Sequence, residues 1–352
     1  MAFSSEKLTP SPFPSTAETA TVHHGGCSSS ISAVHPDILQ THILTLLDGP
    51  SLASSSCSST ELNSLASQDD LWTNICRSTW PSTEMPRLRQ VISTFPNGPR
   101  SFFSAAFPLL TIDQASATSL VTPHRPSELI SAVDIYHRNE LIFSRVVETE
   151  TESGWFRCSP FRIDMLDPKD TCATPIPHPE TQDACRELAE ELTLSWILID
   201  ATGRRAMNLS SHKPVSVQRH WLSGEVHARF VLILAGEKGS STEFVQCGIV
   251  LTCGGGTAGG GMHVREVSVQ VEDMDGMFMN GKDSLGILNR SFEGKKGIKG
   301  RSEEEGRRRY EGFLEMKRER KERKLRTEGT LDTLCVGFGF LILVCLGFVF
   351  LR

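Results

Sequence analysis

Apolar positions recur along this chain in three rhythms. Between residues 34 and 81 they fall at helical spacing. Pro36 suits a first helical position and Asp37 complements the helix dipole. Leu39, Ile43, Leu44, Leu46 and Leu47 give one apolar face, and Gly49-Pro50 stops the helix. Ser58-Ser59-Thr60-Glu61 and Ser67-Gln68-Asp69-Asp70 match the capping-box pattern. They open helices carrying Leu62, Leu65 and Ala66, and Leu71, Trp72, Ile75 and Cys76, and Trp80-Pro81 ends the unit. Residues 86 to 110 predict two more short helices, RLRQVISTF and SFFSAAF, broken at Pro96-Asn97-Gly98-Pro99.

From about residue 130 the period changes to two. The candidate strands are Leu129 to Tyr136, Leu141 to Val147, Trp155 to Met165, Leu194 to Asp200, Val226 to Leu234, Phe244 to Thr252 and Val264 to Val271. Arg138-Asn139 and Thr202-Gly203 supply turns. A helix over Asp183 to Leu192 interrupts the strands, and Asp283 to Phe292 reads as a closing helix. Short strands joined by frequent turns predict an antiparallel sandwich or barrel. The fold class is therefore α+β: a small helical unit, then an antiparallel, sandwich-like β-rich domain, then a transmembrane helix.

The third rhythm is no rhythm at all. Leu334 to Leu351 reads LCVGFGFLILVCLGFVFL, with no charge and with 13 of its 18 residues Leu, Ile, Val or Phe. At roughly −0.3 to −0.6 kcal/mol each, these contribute at most about −4 to −8 kcal/mol to insertion. Eighteen residues of helix extend about 27 Å, which suits a thin bilayer such as that of the endoplasmic reticulum. A core helix would carry polar residues along one side, and this segment carries none. The basic run KRERKERKLR, Lys317 to Arg326, lies before it and only Arg352 after it. That asymmetry predicts a C-terminal anchor across residues 334–351 with the body in the cytosol.

Charge follows the same division. The net charge is −6, which argues against a nucleic-acid partner. Residues 1–292 carry −11, residues 293–328 carry +5, and residues 329–352 balance. An acidic body is joined to a basic stem, Glu303 to Arg326. Tyr310, Phe313 and Leu314 give that stem one apolar turn, so it is expected to be a solvated helix. The ten cysteines include no C-x-x-C, which fits a reducing compartment. Residues 1–30 are rich in Ser, Thr and Pro, lack a secretory signal's apolar core, and predict a disordered arm.

Motifs for covalent chemistry do not assemble. Gly254-Gly255-Gly256-Thr257-Ala258-Gly259 matches G-x-G-x-x-G, but a strand rather than a helix follows it, so it reads as a hairpin loop. Asp273-Met274-Asp275-Gly276 has its glycine at position 4 instead of 6 for a calcium loop. His23-His24 reads as solvated, no Cys/His set has zinc spacing, and no H-E-x-x-H or G-x-S-x-G occurs. No catalytic, cofactor or metal site is expected.

A helical unit of this size buries too little surface to be self-sufficient. Its surplus of apolar side chains therefore points to a partner, unless residues 86–110 cover them. The order of those side chains resembles the F-box. Pro36 leads the first helix, Leu39, Ile43-Leu44 and Leu47 follow at the motif's spacing, Leu52 matches its downstream leucine, and Asp70-Leu71-Trp72 matches its acidic-Leu-Trp step. Two positions depart: His35 stands where a leucine is usual, and Ser54 to Ser59 replaces an apolar second helix. The longer strings VHPDILQTHILTLLDGPSLASSS and LASQDDLWTNICRSTWP resemble plant F-box proteins with a C-terminal membrane anchor, and SGWFRCSPF, LSWILID and SVQRHWLSGEV extend the likeness.

The resemblance implies a non-catalytic subunit that docks on a Skp-type adaptor, and through it on a cullin-RING ubiquitin ligase, while another domain captures a protein substrate. Its adaptor-binding residues would be Pro36, Leu39, Ile43, Leu44, Leu47, Leu52, Leu71 and Trp72. The implied organisation is an arm (1–30), an F-box unit (31–81), a helical connector (82–125), a β-rich receptor (126–292), a basic stem (293–330) and a membrane anchor (331–352). The alternative is a membrane-tethered binding or lectin-like module without a ligase role. The β-rich segment resembles phloem-lectin-like domains, and Trp155, Trp196 and Trp221 are its candidate sugar-stacking residues, with Trp196 expected in the core.

Overall fold

β1 (Glu128–His137) and β5 (Leu192–Asp200) pair at the centre of the molecule and are buried over most of their length on both faces. A strand covered on both sides needs apolar groups on both, which is why the run LSWILID does not alternate. The computed structural model describes residues 34–108, 110, 125–237, 239–255, 261–294 and 303–350. Its architecture is mixed helical and antiparallel β.

The first sheet has the order β2-β1-β5-β6, with β2 at Glu140–Glu150 and β6 at Arg205–Asn208. Arg138 and Asn139 turn the β1–β2 hairpin at φ 51° and 66°, the left-handed pair that matches strand twist. The second sheet has the order β3-β10-β9-β8-β7. Its strands are β3 (Arg162–Asp164), β7 (Ser216–Arg219), β8 (Val226–Ala235), β9 (Phe244–Gly254) and β10 (His263–Glu272). The short β4 (Cys172–Ala173) also pairs with β10. Val133, Trp196, Phe230, Ile249 and Val269 meet in the core between the sheets. Trp196 is fully buried there, as expected, and its Nε1 donates to Ser131 Oγ at 3.2 Å.

The helical unit covers the outer face of the first sheet. It comprises α1 (Pro36–Ile38) with its continuation to Leu46, α2 (Gly49–Ser56), α3 (Thr60–Ala66), α4 (Asp69–Thr79), α5 (Pro86–Ser93) and α6 (Gly98–Ala106). Leu52, Trp72, Trp80, Leu88 and Phe102 share one cluster with Ile130, Ala132, Ile197, Ile199 and Ala206 of the sheet. Residues 86–107 do cover part of the apolar surface of residues 36–80. The Ser-rich second helix is also self-satisfying, since Ser54 and Ser55 donate to the carbonyls of Pro50 and Ser51.

Several expectations change. Trp155 to Met165 is not one strand. Ser153 Oγ accepts from Phe156 N at 3.2 Å and caps a short helix, α7 (Gly154–Cys158), and β3 begins only after Pro160, which has no N–H for a ladder. The two capping boxes also shift: Ser59 rather than Ser58 caps α3, and Ser67 donates to Asn63 O instead of capping α4. The helices expected near 183–192 and 283–292 are α8 (Gln182–Glu191) and α9 (Gly281–Phe292). β9 and β10 pair antiparallel with Gly254 opposite His263, so no helix follows the glycine loop, whose residues 256–260 lie outside those described. The N-terminal arm with His23-His24 lies outside them too.

The largest correction concerns the stem. Glu303–Phe350 is one continuous helix, α10, and its first part is not solvated on all sides. Phe313 is fully buried against Val231 and Ile233 on the outer face of β8 and against Met274. The charged segment hides a docking face: Phe313, Lys317, Arg320 and Lys324 follow one another at helical spacing, and all four engage the body. Beyond them α10 has a window long and apolar enough to cross a membrane, none of it buried against the rest of the chain.

Candidate adaptor-docking surface

The first helix is not a regular α-helix. After Pro36–Ile38, residues Leu39–Ile43 form a π turn and Leu44–Leu46 a 3-10 turn. The Leu44 N–H bonds to Leu39 O, so residues five apart align through the π turn, and residues three apart align through the 3-10 turn. The single apolar face read from the sequence is thereby split into two stripes. Leu39, Leu44 and Leu47 turn inward; the first two are buried and Leu47 is half-buried against the core. Ile38, Ile43 and Leu46 turn outward, at 49%, 44% and 82% exposure.

The eight residues expected to bind the adaptor therefore divide. Pro36 and Ile43 are exposed, and Leu47 lies at the edge. Leu39, Leu44, Leu52, Leu71 and Trp72 are inside the chain's own core. Trp72 donates from Nε1 to Ala66 O at 2.7 Å, its ring lies 5.4 Å from Phe103, and the Arg100 guanidinium lies 6.0 Å over it. Leu52 and Leu71 support the same packing. The outward stripe includes Ile38 and Leu46, which were not among those eight. Their signal in the sequence was the run of adjacent apolar residues Ile38-Leu39, Ile43-Leu44 and Leu46-Leu47, which supplies two faces rather than one.

The unit is locked to the sheet by a buried carboxylate. Asp134 of β1 accepts from Ser82 N at 3.0 Å, from Ser82 Oγ at 2.6 Å and from Ser144 Oγ at 2.7 Å. Burial pushes its pKa above the usual carboxylate value, although these bonds act the other way. The outward stripe is thus carried on a platform continuous with the β domain.

A 740 Å³ cleft beside α9 is lined by Arg125, Arg157, Lys282 and Arg290, but Glu152, Glu237, Asp283 and Glu293 balance them. Cys76, Cys247 and Cys253 are buried, and burial pushes their thiols up to about 12, far from a reactive thiolate. Among the described residues, no three His, Cys, Asp or Glu side chains form a metal-binding group. Trp155 and Trp221 are both strongly exposed, and neither lines the cleft.

Comparison with known proteins gives the class. The chain is 50% identical over 323 residues to Probable F-box protein At2g36090 of Arabidopsis thaliana, covering 91% of this chain and 92% of that protein. It is 43% identical over 337 residues to F-box protein At2g27310 of the same plant, covering 92% and 97% respectively. It is 42% identical over 332 residues to F-box protein At3g44326, also of Arabidopsis thaliana, covering 90% of each. No family model and no solved structure matches the chain. The protein belongs to the F-box protein family. The likeness spans the helical unit and the β domain together.

Proposed function

We propose that the protein is the substrate-receptor subunit of a Skp adaptor-cullin-RING ubiquitin ligase, held at a membrane by its C-terminal helix. Membership in the F-box family supports the ligase role. The observation that carries the docking model is the outward stripe of Ile38, Ile43 and Leu46, three large apolar side chains left in water on one irregular helix. The adaptor would cover this stripe. Pro36 would contribute at its start and Leu47 at its edge. Leu39, Leu44, Leu52, Leu71 and Trp72 would act from beneath, by holding the helix in the shape that presents it.

The protein performs no bond chemistry in this reading. It brings a substrate bound by the β domain near a ligase bound by the helical unit, and the rigid platform between them fixes the separation. A membrane span across residues 334–351 would place the body in the cytosol and suits the endoplasmic reticulum. Support for the span is the apolar character of that segment and the lack of any cover, within the chain, over the membrane-length apolar window that the helix holds up to Gly347. Tethering confines the receptor to one surface and raises its effective concentration toward targets there.

The test is purification of the full chain from detergent-solubilised membranes. Co-purification of a Skp-type adaptor and a cullin supports the proposal. Membrane extraction without either partner, under conditions where other F-box proteins retain theirs, would leave the membrane-tethered binding module as the reading.

A further inference from the structure

The stem helix determines which end of the β domain faces its apolar segment. β8 and β10 run in the same direction, each antiparallel to β9 between them. α10 crosses β8 at Val231 and Ile233, then meets the loops beyond the C-terminal ends of both strands. Arg320 donates to Ser240 O at 3.3 Å in the loop after β8. Arg320 and Lys324 share Asp275, at 3.1 Å and 2.8 Å, in the tight turn after β10. Lys317 reaches Glu272 at 3.8 Å.

Ten residues of continuous helix separate Lys324 from Leu334, about 15 Å. The headgroup layer of a leaflet takes up roughly 5–8 Å of that. An ordinary helix tilt of about 20° toward the body lowers the neighbouring loops by several more ångströms. Those loops therefore lie within side-chain reach of the headgroups.

Their composition fits that position. Met277 and Phe278, directly after Asp275-Gly276, are 67% and 52% exposed. Trp155 is exposed on α7, which packs against α9 beside Asn280 and Gly281. The carboxylate at the turn, Asp275, is already matched by two cations. Lys321 and Arg323 are exposed on the stem, as are Arg318 and Arg326, which pair along the helix with Glu315 and Glu322. Apolar and aromatic side chains beside surplus cations suit an anionic lipid interface.

We propose that this end of the β domain rests on the bilayer surface, with Met277 and Phe278 entering the headgroup layer and Arg323 and Arg326, the exposed stem cations nearest the apolar segment, directed at lipid phosphates. The inference rests on the membrane-anchor reading above. It orients the receptor: the opposite end, with the exposed Trp221-Leu222 hairpin between β7 and β8, faces the cytosol and is the end open to a protein substrate.

The test uses the full chain inserted into vesicles of phosphatidylcholine and phosphatidylserine, with a photo-crosslinking benzophenone amino acid in place of Phe278 or, separately, of Leu222. Insertion is read independently by resistance to alkaline extraction. Severalfold more lipid adduct from position 278 than from position 222 is expected, with a lower yield from position 278 in Asp275→Ala, which loosens the clamp. Inserted protein whose two positions give equal lipid adduct would overturn the surface contact while leaving the anchor intact. Protein that alkaline extraction removes would overturn the anchor and the contact together.

Discussion

The ring of Phe103 lies so close over Gly49 that a Cβ at Gly49 would fall 2.1 Å from its Cζ. Gly49 opens α2 inside the F-box-like segment, and Phe103 lies in α6, well beyond it. The two segments are thus one packing unit. Phe103 also stacks on Phe107 at 4.8 Å and meets Trp80 at 5.3 Å, so it has little room to yield. Gly49→Ala is expected to destabilise the protein by about 1–3 kcal/mol through overpacking. Thermal unfolding of the variant checks this, and Phe103→Leu in the same background should recover part of the loss.

Asp134 fastens the helical unit to the first sheet through Ser82. Asp134→Ala would strand the Ser82 N–H and is expected to cost about 1–3 kcal/mol, more than Asp134→Asn, whose oxygen can still accept. The raised pKa gives a second signature. A carboxyl that holds its proton more tightly when folded contributes most at low pH, and that contribution falls as pH rises from the ordinary value of 3.8 through the raised one. Urea denaturation at several pH values should show this slope in the wild type and a reduced slope in Asp134→Asn.

The stem clamp has the opposite pH sign. Lys324 and Arg320 hold the Asp275 carboxyl below its ordinary value. Its contribution is complete above 3.8 and is lost as pH falls through the depressed value. Hydrogen exchange along residues 309–324 in the detergent-solubilised chain reads the clamp directly. Protection should persist at neutral pH and drop under strong acid. Phe313→Ala should weaken docking by about 3 kcal/mol at any pH, because it empties a fully buried site. Unchanged protection in Phe313→Ala would mean that the ring does not hold the helix.

Much of this organisation is legible in the sequence. The period-two run Val267 to Val271 is a strand because one face carries Val267, Val269 and Val271 and the other Ser268 and Gln270, whereas Leu141 to Val147 is a strand in which Ile142 and Phe143 are both buried beside an irregularity in the pairing. The expected ranges of α8 and α9 lie within two residues of the observed ones, and Thr181 and Asn280 cap the two helices. The segment around Trp155 misled because its apolar residues are compatible with a strand, while Ser153 and Pro160 decide the matter locally. The first helix is legible as apolar, and its paired apolar positions supply two faces, but nothing in residue spacing announces the π turn that decides which member of each pair faces outward. The stem's docking face was the hardest to see. Phe313, Lys317, Arg320 and Lys324 lie within a run of mixed charge, and their common face acquires meaning only beside Glu272 and Asp275. The same holds for Asp134 and Ser82, which are distant in the chain and meet only in the folded protein.

The central claim is that the outward stripe on the first helix is the adaptor-binding surface. It is tested most directly by measuring binding of a purified Skp-type adaptor to the full chain carrying Ile43→Asp with Leu46→Asp. Both side chains are exposed, so the fold should survive, whereas Leu44→Asp would place a charge in the core at a cost on the order of 4–5 kcal/mol and could not separate docking from unfolding. The expected result is adaptor binding lost or weakened at least a hundredfold with the unfolding midpoint unchanged. Wild-type affinity in that folded double variant would contradict the account.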